Sequence, residues 1–266
     1  MADTSSSSSS SSSATTNRNT DVNNEETSST GIGAVIRYLT SKPSVSFLMI
    51  IRMAALLLTF LYMVPLTSFS PSNLYQKSLV SNAAISALRL HQRLPPFRIS
   101  REYFSMLLLE DSAHYLFYSL IFISNQPITM VLLPITLFSF LHACSAILNV
   151  CNVAGIAGPP KRFLENILQS QRQILFTIAL AEITLMPTIL FAIMAGLASI
   201  FTPFMYYQFV SLRYSSRRNP YSQQAFHWLR LSLQNFAMSP RCPSILRTII
   251  YRGIELVCRF APQIQQ

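Results

Sequence analysis

Long apolar runs recur along the chain and are separated by short polar stretches. They occupy about residues 45–66, 74–90, 103–124, 128–148, 174–195 and 199–212. A helix of about 20 apolar residues crosses the hydrocarbon core of a bilayer, which is roughly 30 Å thick. No useful length of the chain alternates with the two-residue period of a strand. The pattern therefore predicts an all-α, multi-pass integral membrane protein.

The apolar runs come in pairs, and the turns within the pairs carry no basic residue. These turns are 66–73, 125–127 and 195–199, whereas lysines and arginines cluster before, between and after the pairs. Because basic segments stay in the cytosol, the simplest topology is three helical hairpins that enter and leave from the cytosolic side. Some arms, notably 74–90 and 200–212, are short for a full span. A second topology has three or four ordinary spans, with 74–90 as an interfacial helix.

Composition supports a membrane protein and sets the N-terminus apart. Only 11% of the residues are charged and 50% are hydrophobic, whereas soluble domains are about 25% charged. The Ser-rich start of the chain has too few apolar residues to repay the entropy of ordering. We therefore predict a disordered tail (1–32), a helical membrane domain (33–215) and cytosolic or interfacial amphipathic helices (216–266).

The charge balance indicates which partners to expect. The net charge is +10, and four of the ten acidic residues lie in the first 26 positions, so the membrane domain is strongly basic. A basic membrane protein is expected to contact anionic phospholipid head groups. Nucleic acid is not expected, because no nucleic-acid-binding module is recognisable. The four cysteines lack ligand spacing, and we predict no metal and no cofactor.

Residues 244–260 carry the clearest helical period in the chain. Apolar residues fall on one face of the helix, and Arg247, Arg252 and Arg259 lie on the other. A basic amphipathic helix of this kind binds the surface of an anionic membrane. The alternative is a helix that packs against the membrane domain of the same chain.

A second basic cluster lies where the last apolar run ends. Arg213, Arg217 and Arg218 are candidates for holding phospholipid phosphates by charge-assisted hydrogen bonds, or for docking an acidic partner. The alternative is a topology anchor without a specific ligand.

Three titratable residues lie close together in the apolar stretch LLLEDSAHYLFYSLIF. On a continuous helix, Glu110, Asp111 and His114 share one flank because they are three or four positions apart. A carboxylate–x–x–His spacing is typical of di-iron bundles, but such sites need a second copy, which is absent, so a metal site is not predicted. Arg98 or Arg101 is within reach of Glu110 and is its expected partner.

Glu182 is the other acidic residue inside an apolar run. An unpaired charge near the bilayer centre costs about 2.5–3.5 kcal/mol, so Glu182 is expected to pair with a group such as His114 or Arg52. We interpret the buried acidic residues as polar ties between helices. A proton relay or an ion path is the alternative, because ionisable residues at membrane depth are functional by default.

Several stretches resemble a known family. SALRLHQRLPPFRISR, LLLEDSAHYLFYSLIF followed by NQPITM, AEITLMP and FMYYQFVSLRYSSRRNPY are similar to the transmembrane protein 33 family, also called Krüppel homolog 2, whose fungal members lie at nuclear pores. The resemblance runs from about Gly33 to Ala261. It implies a multi-pass protein of the endoplasmic reticulum and nuclear envelope that influences the tubular network, partners reticulon-type shaping proteins, affects nuclear pore distribution and is not an enzyme.

These observations lead to one main functional expectation and one alternative. We expect a non-enzymatic membrane protein that shapes or organises endoplasmic reticulum tubules and supports nuclear pore organisation, through membrane hairpins, a basic amphipathic helix and partner binding. The sequence leaves open whether the chain self-associates. The alternative is an ion or small-solute transporter or channel that uses Glu110, Asp111, His114 and Glu182. No nucleophile–base motif stands at a membrane edge, so no catalytic residue is predicted.

Overall fold

The computed structural model describes residues 31–64, 70–96, 100–216, 219–240 and 242–260. Within them the secondary structure is helical and no strand occurs, which confirms the predicted all-α class. The described residues form eleven helices: α1 (Ile32–Ser41), α2 (Pro43–Met63), α3 (Pro71–Arg93), α4 (Arg101–Leu109), α5 (Asp111–Ile123), α6 (Thr129–Ala154), α7 (Pro159–Gln169), α8 (Gln171–Met194), α9 (Thr202–Ser215), α10 (Tyr221–Met238) and α11 (Ser244–Phe260). Residues 1–30 of the predicted tail lie outside the described residues.

Three of the described helices are long and apolar enough to cross a membrane, namely α2, α6 and α8. With 21, 26 and 24 residues, they are about 32, 39 and 36 Å long at 1.5 Å per residue. The single helix expected over 103–124 is instead two helices, α4 and α5, bent by 82°. The chain leaves helical geometry at Glu110, which has φ −87° and ψ 123°. If α4 and α5 together form one span, the spans number four.

The turns that lack basic residues come together at one end of the bundle. Tyr62 near the end of α2 hydrogen-bonds Thr129 at the start of α6, with 3.0 Å between the hydroxyl oxygens. The turn after α5 meets the start of α9, because the Asn125 amide donates to the Thr202 hydroxyl at 3.2 Å. Gly196 lies in the turn between α8 and α9 with φ 72°, a conformation that glycine adopts without strain. We call this end of the bundle the turn end.

The opposite ends of α3, α5 and α9 meet through ion pairs. Arg93 in the last turn of α3 contacts Glu110 immediately before α5, and Arg213 in the last turn of α9 contacts Asp111 at the start of α5. We call this the ionic end. The antiparallel course of α2, α3, α5, α6, α8 and α9 follows from these two sets of contacts.

The core between α3, α5, α6, α8 and α9 is rich in aromatic side chains. Its fully buried aromatic members are Tyr75, Tyr118, Phe122, Tyr206 and Phe209. Tyrosine hydroxyls in such a core need hydrogen-bond partners. The Tyr118 hydroxyl donates to the Val131 carbonyl at 2.7 Å, and the Tyr206 hydroxyl donates to the Glu182 carbonyl at 2.6 Å. These bonds fix the rotation of α5 and α9 against α6 and α8.

Candidate functional site

Arg213 is the centre of a buried ionic cluster in which three helices meet. Its side chain is only 2% exposed. The Nε group donates to Glu182 Oε2 of α8 at 3.1 Å, and Nη1 donates to Asp111 Oδ1 of α5 at 2.9 Å. Nη2 donates to the Tyr115 hydroxyl at 3.2 Å, and that hydroxyl donates to Glu182 Oε1 at 2.8 Å. One guanidinium therefore joins α9 to both α5 and α8.

The geometry of the cluster matches the hydrogen-bonding and charge properties of its side chains. An arginine presents five N–H donors in a planar fork, so a single side chain serves several acceptors at once. The guanidinium carbon also lies 5.0 Å from the centroid of the Tyr115 ring, within the range of a cation–π contact. Asp111 occupies the first turn of α5, where the helix dipole favours a negative charge. The arrangement neutralises Glu182, whose side chain is 3% exposed.

The structure corrects two predictions about these residues. Arg213 was expected to bind head groups, but this is wrong because its side chain is buried and bonded within the protein. Glu182 was expected to pair with His114 or Arg52, whereas its ionic partner is Arg213. The other members of the predicted arginine cluster, Arg217 and Arg218, lie outside the described residues.

Glu110 and His114 act at the bend between α4 and α5. Glu110 precedes α5 rather than lying in one helix with Asp111 and His114, so the expected shared flank does not exist. Its carboxylate pairs with Arg93 Nη1 at 3.1 Å. Of the two partners expected for Glu110, Arg101 forms no ion pair with it in the described part of the chain, and residue 98 lies outside the described residues. The His114 Nε2 atom is 2.7 Å from the Leu108 carbonyl oxygen, a contact that joins α5 to α4 across the bend.

Helix α11 exposes its apolar face. Ile245, Ile249 and Phe260 are 74%, 59% and 57% exposed, and the helix buries no residue. Among the described residues, two side-chain hydrogen bonds attach it to the remainder of the fold. Arg247 Nε donates to the Ala237 carbonyl at 2.9 Å, and the Tyr207 hydroxyl donates to the Phe260 carbonyl at 2.8 Å. The apolar face is therefore available to a bilayer.

Two further amphipathic helices leave their apolar residues exposed. α4 follows the ionic end and buries none of its residues, and Phe104 and Met106 are each 47% exposed. α7 begins at Pro159 and also buries none, with Phe163 65% exposed. Its polar face carries Lys161, which pairs with Glu165 one turn later. The hydropathy of the sequence had not separated α7 from the connection between two apolar runs.

In the described part of the chain, no group of three or more His, Cys, Asp or Glu side chains is placed so that it could hold a metal ion. The four cysteines are free thiols. The site is thus an arrangement of ion pairs inside the bundle and of amphipathic helices outside it.

Together, the apolar spans, the buried ion pairs and the amphipathic surface helices define a multi-pass helical membrane protein. The profile of the family described as Transmembrane protein 33/Nucleoporin POM33 matches residues 27–263, and the chain belongs to this family. The family is not a known enzyme family. The family resemblance predicted from the sequence is confirmed.

Individual relatives match over most of their length. The chain is 40% identical to Transmembrane protein 33 of Mus musculus and of Homo sapiens, over 88% of this chain and 96% of each relative. It is 41% identical to Krueppel homolog 2 of Drosophila melanogaster, over 83% of this chain and 79% of the relative. No solved structure matches.

Proposed function

We propose that the protein is a non-enzymatic organiser of the endoplasmic reticulum membrane and nuclear envelope, which shapes tubules and supports the organisation of nuclear pores. Membership of a family whose name joins a transmembrane protein to a nucleoporin supports this location. The observation that carries the shaping role is the set of amphipathic helices α4, α7 and α11, which bury none of their own residues.

Such helices supply a physical means of bending a bilayer. An amphipathic helix buries its apolar face about 5–10 Å deep at the boundary of head groups and acyl chains, and its binding depends on curvature. α4 turns 82° away from α5 at the ionic end, so it lies roughly in the membrane plane when α5 follows the membrane normal. α5 and α9 have 13 and 14 residues, or about 20 Å each, shorter than the roughly 30 Å hydrocarbon core. Short arms and surface helices act as wedges in one leaflet.

Head-group contacts would hold α11 on the cytosolic leaflet. Arg252 and Arg259 are exposed, and Arg247 uses its Nε for the Ala237 carbonyl while its other donors stay free for phosphates. Each arginine near an anionic surface adds about 1 kcal/mol. Reticulon-type proteins and nuclear pore components are the partners we propose on family grounds, and a second copy of the chain is another.

Reconstitution of the full-length protein into liposomes tests the shaping role. We expect the native protein to convert vesicles into tubules as its density rises, and the double variant Ile249→Ser, Leu256→Ser to lose most of this activity. The control variant Ile249→Leu, Leu256→Ile keeps the apolar face and should tubulate normally. If the native protein left vesicles unchanged at every density, the wedge mechanism would be wrong and a scaffold for partners would stand in its place.

A glycosylation scan tests the topology on which this mechanism depends. We expect spacer-flanked sequons at 126 and 197 to be glycosylated, because both positions belong to the turn end, and sequons at 160 and 220 to stay unmodified. Modification at 160 or 220 would place basic segments in the lumen and remove the geometric basis for a cytosolic wedge.

The transport alternative makes a different demand on the buried charges. A flux through the cluster requires its side chains to reach water, whereas Arg213 and Glu182 are 2% and 3% exposed and bonded to each other. Asp111→Asn and Glu182→Gln should therefore change stability and leave ion flux into proteoliposomes at the background level. A flux that disappears in these variants while the fold persists would favour transport.

A further inference from the structure

A small, partly enclosed cavity lies between α2, α3, α5 and α6 and has a strongly basic lining. About 20 Å³ of it is open to the centres of water-sized spheres, and Arg52, Arg89 and His142 contribute to its wall. Arg52 is only 9% exposed. Arg89 is one turn of α3 before Arg93, so the cavity lies just inside the ionic end.

The charges of the two arginines are not neutralised by an ion pair with the described residues. The two carboxylates that act on Arg89 form ion pairs with other guanidiniums, since Glu110 pairs with Arg93 and Asp111 pairs with Arg213. These carboxylates offset the charge of Arg89 only from a distance. Arg52 makes no salt bridge within the described part of the chain.

His142 does not add an acceptor for the remaining donors. Arg89 Nη1 is 3.0 Å from His142 Nε2. Because a guanidinium donates and never accepts, Nε2 must be the acceptor, which makes His142 a neutral imidazole protonated at Nδ1. That contact uses one of the five N–H donors of Arg89. The other donors of Arg89 and those of Arg52 remain for a ligand.

Hydroxyl groups complete the lining. Ser86 and Ser112 face the cavity, are 8% and 6% exposed, and make no side-chain hydrogen bond with described residues. Ser139 donates to Asn82 Oδ1 at 2.8 Å and is already satisfied. Two guanidiniums with two free hydroxyls form a set of donors for an oxyanion, and arginine pairs with phosphate by two parallel N–H···O bonds.

We propose that this cavity binds a phosphate group between Arg52 and Arg89. Two like charges on one cavity of a membrane protein, one on the buried Arg52 and the other on the half-buried Arg89, are costly unless a counter-charge joins them. An oxyanion supplies that charge as well as acceptors for the serine hydroxyls. The group comes from the head of an anionic phospholipid in the leaflet at the ionic end, or from free inorganic phosphate. Both sources present the same chemistry to the arginines.

The experiment uses the full-length protein, purified in detergent and depleted of lipid, with its thermal midpoint followed against ligand concentration. The probes are dioctanoyl phosphatidic acid, inorganic phosphate and dioctanoylglycerol, which has the same acyl chains without phosphate. We expect the thermal midpoint to rise saturably with phosphatidic acid and to stay unchanged with dioctanoylglycerol. A rise with inorganic phosphate as well assigns the site to free phosphate, and a rise with the lipid alone assigns it to a head group.

Substitutions of the two arginines test whether the phosphate probes bind in the cavity. Arg52→Gln and Arg89→Gln should each weaken binding at least about tenfold, because each removes a charge-assisted contact. Arg162→Gln, an exposed position on α7 with the same change in net charge, should alter binding less than about twofold. Arg52→Lys keeps the charge, should bind with intermediate affinity, and replaces Arg52→Gln if that variant does not fold.

Three results would overturn the proposal. The first is the absence of any rise with either phosphate probe. The second is an equal rise in the native protein and in the Arg52 and Arg89 variants, which would indicate adsorption elsewhere on the basic surface. The third is an equal effect of dioctanoylglycerol, which would indicate acyl-chain binding. Because the measurement is made in detergent, its outcome is independent of bilayer bending.

Discussion

Replacing Arg213 by Met is the most informative perturbation of the ionic cluster. The substitution removes the only guanidinium that contacts Glu182 and leaves that carboxylate with the Tyr115 hydroxyl as its remaining side-chain donor among the described residues. Arg213 lies 11 residues beyond the start of α9, about 17 Å along the helix from the turn end. Because the Glu182 side chain is only 3% exposed, water does not replace the lost partner.

The expected magnitude follows from burial. Removing one partner of a buried ion pair costs about 3–5 kcal/mol, because the other charge stays in an apolar environment. Glu182 is 3% exposed and bears this cost in full, whereas Asp111 is 32% exposed and adds at most about 1 kcal/mol after screening. For a chain of this size each kcal/mol lowers the melting temperature by about 2–4 °C. We expect Arg213→Met to lower it by about 6–24 °C.

The assay is thermal unfolding of the purified full-length variants in detergent. The double variant Arg213→Met, Glu182→Gln should recover most of the loss, since it removes the stranded charge and keeps an acceptor for the Tyr115 hydroxyl. Arg230→Met, at an exposed position of α10, is the matched control and should change the midpoint little. A midpoint equal to the native one for Arg213→Met, or no recovery in the double variant, would refute the assignment of the cost to an unpaired Glu182.

Further substitutions test the contacts between helices and the glycine positions. Thr59→Val removes the 2.7 Å hydroxyl contact with Ser78 that joins α2 to α3; it should cost about 1–2 kcal/mol in thermal unfolding, and adding Ser78→Ala should restore most of it. Gly196→Ala should cost about 1 kcal/mol because φ is 72°, although nothing lies within 4 Å of the added methyl group. Gly253→Ala should instead raise the free energy of local opening of α11, measured by hydrogen exchange, by about 0.5–1 kcal/mol. Alanine is the better helix former, and the added methyl group meets no other atom. Equal signs at the two glycines would contradict this reasoning.

The apolar runs located the spanning helices well. Runs predicted over 45–66, 128–148 and 174–195 correspond to Pro43–Met63, Thr129–Ala154 and Gln171–Met194. The period over 244–260 coincides with Ser244–Phe260. Length, apolarity and helical period are properties of contiguous residues, so they can be read without knowledge of the fold.

The break at Glu110 could not be read in the same way. No glycine or proline marks it, and apolar residues continue on both sides, so hydropathy alone predicts one helix. The break is stabilised by contacts from other parts of the fold, the Glu110 pair with Arg93 and the His114 contact with Leu108 across the bend. Packing of α3 against α5 therefore overrides the local preference for a continuous helix.

By itself the sequence determined that this is a helical membrane protein of a recognisable family, and that buried acidic residues such as Glu182 require partners. A charge in hydrocarbon is costly wherever it lies, so the need for a partner follows from composition and position alone. Only the tertiary structure decided that the partner is Arg213, which is 31 positions from Glu182 and 102 positions from Asp111. The choice among the basic residues depends on how α5, α8 and α9 pack and rotate against one another, and no local pattern encodes those distances.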